Sequence, residues 1–546
     1  MGFQHFLWYN SGMVNEKKLR ENLSKLSQEE LIEFAVNAEM DRDRMLEHLK
    51  SLRNKTFKPS SESSDQLSLE LFNEVEDTID NSTEDDLKEV ITYERSKNKK
   101  EKKKADFSNL KVKVIHHELQ DKTCPECGAK MKELKSEITE VLKYIPEEYY
   151  IERHITHVYV CNECSIEEDA LVSTKAPGAP KKLIDGSMAS SSVISGIAVN
   201  KFVQGRPLYR QEAELFRKGI PFTRQNMSNW LMKAEQNYLR PVFERMHSDL
   251  KKLKTVHCDE TTLVVLEEKA KEDKDKSYMW LAMSGKKEQK QIALYFHHDR
   301  KYEHVDEILG DDFSGYVHSD GYGAYLNKGY TSVVCYAHIR RKFMDYYKIN
   351  SDVVKEYEKI KNPEERTAFL AERPSFCNAV KAIAYIDRLF AIERKGYAQE
   401  ERVKLALPIV REFTKFIESL KGKYPPKTKM ATAIEYTLDL KPCLENYLLD
   451  EGLEISNNRA ERAIKDFVIA RKNFLFSNTR SGAQCSAVYC SLIESAKLNQ
   501  LDPYKYLVYV LDTLNEKGVT DEVIESVLPY SETLPNDIKS KGRPAK

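Results

Sequence analysis

Thr255-Val256-His257-Cys258-Asp259-Glu260-Thr261 is the stretch on which the fold turns. Its first four residues read as a short buried strand, and Asp259 stands where that strand opens into a loop. Val317-His318-Ser319-Asp320-Gly321-Tyr322 repeats the design, with a strand expected over 315–318 and an acid just beyond it. Around these segments the pattern predicts further strands at 263–266, 278–283, 292–296 and 332–336, and a helix near 304–309. Three strands in succession, then a helix, then more strands predict a mixed α/β sheet. Ligands of open α/β sheets gather at strand ends, which makes Asp259 and Asp320 candidates for one site.

Downstream, no strand pattern is visible from about 352 to 450, and Pro374, Pro408, Pro425, Pro426 and Pro442 cut that region into helices. Asn457-Asn458-Arg459-Ala460-Glu461-Arg462 then opens a helix capped by Asn457 or Asn458, with Ala460, Ala463, Ile464 and Phe467 as its apolar stripe. Glu461, one position from that stripe, is expected at the edge of the core, facing a cleft. If Asp259, Asp320 and Glu461 converge, they form the kind of carboxylate trio that holds two divalent metals on a phosphodiester. Turn capping by the two aspartates and a favourable helix-dipole contact by the glutamate are the plainer alternatives.

Upstream, Ser27-Gln28-Glu29-Glu30 reads as a capping box. Leu31, Ala35, Ala38, Arg42, Met45, Leu49 and Leu52 follow a four-three spacing, the seam of a short coiled coil or of a helix packed on its own chain. Residues 55–106 read as a flexible linker, with one weak helix at 67–75 and a run from Arg95 to Lys104 of seven positive charges against one negative. That run is a solvated linker or a phosphate-seeking arm. Overall charge is balanced, with 86 basic against 87 acidic residues, so net charge is silent about nucleic acid.

Four of the ten cysteines form two Cys-x-x-Cys pairs, Cys124 with Cys127 and Cys161 with Cys164. Strand-like alternation over 149–160 lies between them, and the whole is expected to be a zinc ribbon with one structural Zn²⁺. From 193 to 236 the chain reads helical. Helix, glycine-bearing turn and helix, with Arg224, Gln225 and Asn226 early in the second helix, is the pattern of a helix-turn-helix and equally of a plain helical hairpin. No apolar run approaches the roughly 20 residues of a membrane helix. The opening Met1-Gly2-Phe3-Gln4-His5-Phe6 lacks a signal peptide's basic flank and apolar stretch. A cytoplasmic protein is expected.

In order along the chain, these blocks resemble the transposases of the insertion-sequence-66 group, bacterial members of the DDE superfamily. The resemblance runs from about 20 to 512. It is carried by Cys-Pro-x-Cys-Gly at 124–128, Pro207-Leu208-Tyr209-Arg210-Gln211-Glu212, His257-x-Asp259-Glu260-Thr261, Ser319-Asp320-Gly321-Tyr322, Ala337-His338-x-Arg340-Arg341-Lys342-Phe343, Asn457-Asn458-x-Ala460-Glu461-Arg462, Arg471-Lys472-Asn473 and residues 491–497. The chain departs from the pattern at Cys258, where a small residue is expected, and at Ile464-Lys465-Asp466, where Arg-Pro is expected.

The resemblance implies a ribonuclease-H-like core with a helical insertion before Glu461. It implies Asp259, Asp320 and Glu461 as catalytic ligands of two Mg²⁺ or Mn²⁺ ions, for hydrolysis at the ends of a mobile element and strand transfer into target DNA. Phosphate contacts would come from Arg340, Arg341, Lys342, Arg462, Arg471 and Lys472, and end recognition from the zinc ribbon and the Arg224, Gln225, Asn226 helix. A homo-oligomer assembled on DNA in the nucleoid, and small accessory proteins of the same element, are the implied partners. A non-catalytic DNA-binding protein and a metal-dependent nuclease without strand transfer are the rival functions.

The expected organisation is an amino-terminal helix or short coiled coil (1–54), the linker (55–106), the zinc ribbon (107–175) and a helix-turn-helix-like region (190–250). The first part of the catalytic core (251–350), a helical insertion (351–450), the rest of the core with the Glu461 helix (451–515) and a tail (516–546) follow.

Overall fold

A computed structural model describes residues 20, 23–57, 148–155, 158–160, 173–175, 181–272, 277–301, 303–326 and 329–540. The chain divides into two compact units, residues 87–180 and residues 1–86 with 181–546. The expected linker, the weak helix at 67–75 and all four zinc-ribbon cysteines lie outside the described residues.

Helix α1 (Gln28–Phe57) opens with the expected capping box, in which Ser27 N donates to Glu30 Oε2 at 2.8 Å and Glu30 N to Ser27 Oγ at 3.3 Å. Polar contacts tie it to the body. Arg44 donates to Pro426 O (2.9 Å), Lys50 to Asn350 Oδ1 (2.9 Å), and Glu47 accepts from Lys429 N (2.6 Å). Leu31, Met45, Leu49 and Leu52 of the apolar seam are exposed.

Within residues 87–180, β1 (Val158–Val160) pairs antiparallel with β2 (Ser173–Lys175), Val158 opposite Lys175. The partner strand therefore comes after the second cysteine pair, not between the two pairs as alternation suggested, and residues 148–155 form no strand.

In the larger unit, α2 (Ser191–Phe202), α3 (Leu208–Arg217), α4 (Arg224–Ala234) and α5 (Arg240–Leu250) follow one another. Thr223 and Asn226 cap each other's backbone at the start of α4, and Glu212 of α3 accepts the Arg224 N–H at 2.8 Å. This holds α3 and α4 as a hairpin, with Trp230 and Leu231 turned into the core.

The sheet comprises β3 (Thr255–Leu263), β4 (Ser277–Ser284), β5 (Ala293–His298), β6 (Tyr316–Ser319) and β7 (Thr331–Val334) in the order β5-β4-β3-β6-β7. β4 and β5 run antiparallel, while β6 and β7 are parallel to β3 and to each other. Counted along the chain this is order 3-2-1-4-5, the ribonuclease-H-like arrangement. Two expectations fail locally. No strand forms over 263–266, because β3 continues through Glu260, Thr261 and Thr262, paired with Trp280, Met279 and Tyr278. Leu266 instead opens a helix, α6 (Leu266–Glu272). The last strand stops at Val334, and Tyr336 already belongs to the next helix.

After α7 (Glu303–Leu309), between β5 and β6, helix α8 (Tyr336–Ile349) leaves β7 and leads into an all-helical insertion. Its members are α9 (Ser351–Lys359), α10 (Pro363–Ala371), α11 (Pro374–Lys395), α12 (Gln399–Ser419) and α13 (Lys429–Asp439); Pro363 and Pro374 fix the first turns of α10 and α11, whereas Pro408, expected to end a helix, lies inside α12. Phe343, Phe413, Tyr336 and Tyr447 fill a core that α8, β7 and the insertion share. Helix α14 (Asn458–Phe474) runs unbroken through Ile464-Lys465-Asp466 and packs on β3. Helix α15 (Arg480–Leu498) covers β5, where Ser491 and Ser495 hydroxyls accept the Tyr295 and Ala293 N–H groups at 2.8 and 2.9 Å. Helices α16 (Pro503–Lys517) and α17 (Asp521–Val527) close the unit.

Candidate active site

Parallel pairing of β3 with β6 ends at His257 opposite His318. Asp259 and Asp320 each lie two residues farther on, where the two strands part. By the period of two, each acid shares a face with the histidine before it. Asp259 thus stands within β3, still opposite Leu281 of β4, and only its parallel neighbour has ended. The two imidazoles stack with centroids 4.8 Å apart and planes 10° apart, fully buried. Burial holds both neutral, pushing His257 down to about 4 and His318 to about 3.

Asp320 heads a tight turn in which its Oδ1 accepts the Tyr322 N–H at 2.8 Å. Gly321 follows at φ +85°, a conformation that favours glycine, and a Cβ there would meet Leu440 Cδ2 at 2.8 Å. Tyr436 of α13 donates its hydroxyl to Asp320 O. The helical insertion thus packs directly on the Asp320 turn.

Glu461 sits in the first turn of α14, and its residue is 6% exposed. Asn457 is the N-cap residue, yet its side chain does not cap the helix. Its amide N–H donates to Cys258 O at 2.8 Å, its amide oxygen faces His257 Nδ1 at 2.9 Å, and its backbone N–H reaches Cys335 Sγ at 3.1 Å. The expectation of an Asn457 or Asn458 side-chain cap gives way to an anchor on β3.

From α8, His338 Nδ1 approaches Glu461 Oε1 at 3.2 Å and Arg341 Nη2 approaches Oε2 at 3.7 Å. Neither Glu461 oxygen receives a hydrogen bond of ordinary geometry, an arrangement that leaves buried acceptors ready for a cation. One ligand atom each of Cys335, His338 and Glu461 lie within 4.8 Å of one another.

The acids feel one another. Burial, then Glu461, Glu260 and Asp320, raises Asp259 well above the usual carboxylate range. Burial likewise pushes Glu461 up to about 7, Arg341 opposing and Asp320 adding to the shift. Such mutual repulsion is relieved when a divalent cation is bound, and oxygen-rich carboxylates suit Mg²⁺ or Mn²⁺. Glu260 is engaged elsewhere, by Arg300 Nη2 at 2.7 Å and Tyr325 Oη at 3.0 Å.

The expected cationic contacts separate into two groups. Arg340 is buried and forms a two-point ion pair with Asp387 (2.7 and 3.3 Å), and Arg471 is tied to Thr262 on β3. Both guanidiniums are thus engaged within the fold. Arg462 and Lys472 are exposed on α14, while Arg341 borders Glu461 and Lys342 lies 5.2 Å from the Tyr436 ring. On α4, Arg224 and Gln225 are exposed, whereas the Asn226 side chain accepts from Thr223 N and Oγ1 at 3.1 and 2.7 Å. His257, His318, His338 and Asn457 were missed as site residues. A histidine two positions before each acid was the legible signal for the first two.

Residues 186–485 match the family model described as Transposase IS66 family, residues 121–165 the zinc-finger binding domain of transposase IS66, and residues 491–530 the IS66 C-terminal element. Three proteins of Sinorhizobium fredii are similar along much of their length. The uncharacterized protein y4jD is 27% identical over 435 residues, covering 76% of this chain and 79% of its own. The uncharacterized proteins y4qI and y4hP are 28% and 25% identical, covering 65% and 73% of this chain and 64% and 71% of their own.

Proposed function

The chain belongs to the IS66 transposase family, and from that premise we propose that it cuts the ends of its insertion element and joins them to target DNA, with Asp259, Asp320 and Glu461 as the metal-holding acids. The observation that supports this reading is the buried Glu461 carboxylate, its oxygens without ordinary hydrogen bonds, which is electrostatically coupled to Asp259 and Asp320 at the parting of β3 and β6.

Asp259 and Asp320 offer carboxylates from the sheet, and Glu461 offers a third from α14. Mg²⁺ or Mn²⁺ bound there would make water a nucleophile near neutral pH and neutralise charge on the phosphate under attack. Arg341 balances the Glu461 carboxylate, and His338, which burial keeps neutral, lies beside it. The buried His257 and His318 set the spacing of the two aspartates, and Glu260, held by Arg300 and Tyr325, stays aside from the cation.

Arg341, Lys342, Arg462 and Lys472 are the side chains we assign to DNA phosphates, which fixes register without reading sequence. End recognition falls to the zinc-finger region, whose Cys124, Cys127, Cys161 and Cys164 would hold one Zn²⁺, and to Arg224 and Gln225 on α4. The active form on DNA is proposed to be a homo-oligomer, with small accessory proteins of the element as further partners.

Glu461→Gln tests the member that comes from outside the sheet. It should abolish Mg²⁺-dependent cleavage of element-end DNA while leaving DNA binding intact, and unchanged cleavage would remove Glu461 from the site.

A further inference from the structure

A second group of metal-binding side chains lies outside the three-acid site, where β5 ends and α7 begins. His298 is the last residue of β5, and His304 and Glu307 stand three apart on α7, on one helical face. One ligand atom from each lies within 4.8 Å of the others. Both imidazoles direct Nδ1 at the same carboxylate oxygen, Glu307 Oε2, at 2.9 Å from His304 and 3.8 Å from His298. Their rings are stacked, 4.4 Å between centroids with planes 20° apart, which puts the two Nδ1 atoms side by side next to Glu307.

The far side of His304 supplies an independent observation. Its Nε2 meets Asp299 Oδ1, and the Asp299 backbone carbonyl is pinned by the Trp280 indole N–H at 3.0 Å. A histidine that binds metal through one nitrogen generally gives its other N–H to a carboxylate, which fixes ring and tautomer. Asp299 stands in that position.

We propose that His298, His304 and Glu307 form a binding site for a zinc-type divalent ion, separate from both the zinc-finger cysteines and the three acids. Two imidazoles and one carboxylate are a donor set for zinc and its transition-metal neighbours, whereas Mg²⁺ favours oxygen alone. Three protein ligands leave coordination positions for water. Without metal, His304 lies between Glu307 and Asp299, one ring nitrogen facing each carboxylate. Zinc replaces the proton on Nδ1, the proton goes to solvent, and the Nε2–H stays on Asp299.

The site also has a mechanical consequence. Arg300 lies between His298 and His304, its guanidinium 4.1 Å from the Tyr322 ring centroid and bonded to Glu260, the neighbour of Asp259. An ion holding both ends of this segment would fix Arg300 at the edge of the acid site.

The test uses the full chain and ZnCl₂ alone. After dialysis against buffered zinc, the wild type should retain one zinc per chain more than His298→Ala or Glu307→Gln, and Asp299→Asn should weaken that zinc roughly 10- to 100-fold. Asp320→Asn should keep it, which separates the site from the three acids. Glu307 has a side chain 58% exposed, so Glu307→Gln should fold normally. Added zinc should raise the thermal midpoint of the wild type more than that of Glu307→Gln. Equal zinc content and equal thermal shifts in wild type, His298→Ala and Glu307→Gln would overturn the proposal.

Discussion

Asn457 and His257, two hundred residues apart, are joined side chain to side chain, the His257 Nδ1–H donating to the Asn457 amide oxygen at 2.9 Å. With the second Asn457 bond to Cys258 O, this locks the head of the helix that carries Glu461 onto the strand that carries Asp259. Asn457→Ala would strand both groups at a cost of about 1–3 kcal/mol each. Element-end cleavage should fall about 100-fold or more in protein that is still folded, because small displacements of reacting groups are expensive. Denaturant unfolding and cleavage rates check the two effects. An unchanged rate would make the contact purely structural.

Burial of Glu461, with Asp320 adding to it, should be visible in metal-free protein as a pH effect. Glu461 is raised in the folded state to about 7 from 4.5, so its contribution to stability is fully present below about 4.5 and lost as pH rises through 7. The loss amounts to about 3 kcal/mol. In excess chelator, Glu461→Gln should therefore be more stable than the wild type at pH 8 and lose that advantage toward pH 4.5. The difference between the two proteins is the quantity to measure, since buried histidines add an opposing acid dependence of their own. A difference that does not change with pH contradicts the coupling.

Gly321→Ala should damage the site through the insertion. Its φ of +85° strains any other residue, and the added methyl meets Leu440. A stability cost of about 1–2 kcal/mol and slower cleavage are expected. Adding Leu440→Ala should relieve the collision and not the backbone strain, so a double mutant restored fully to wild-type cleavage would discount the conformational argument.

Arg340 and Lys472 should behave oppositely when replaced by alanine. Loss of Arg340 leaves Asp387 without its two-point partner and should destabilise the fold by about 3 kcal/mol, with the salt dependence of DNA binding unchanged. Lys472 is exposed, so its loss should alter stability by less than about 0.5 kcal/mol and lower the slope of log affinity against log salt by about 1. Denaturant midpoints and binding isotherms over a salt series decide both.

The two strand-and-acid segments, the mixed sheet and the apolar stripe beneath Glu461 were legible in the sequence, because they rest on local periodicity. The run Glu260-Thr261-Thr262 looked like loop, since its polar residues gain strand character only from pairing with β4. Asn457 looked like a helix cap because that is the local use of asparagine; its actual partner, His257, is distant in sequence. Arg340 looked available for phosphate because Asp387 lies 47 residues away, across the insertion. Each miss is a long-range contact overriding a local preference.

The most direct test of the proposed chemistry is strand transfer with element-end DNA and a target duplex in Mg²⁺, wild type beside Asp320→Asn. The wild type should join the cut end to target, and Asp320→Asn should bind the end with ordinary affinity yet neither cut nor join it. Joined product of equal yield from Asp320→Asn would contradict a metal site built on Asp259, Asp320 and Glu461.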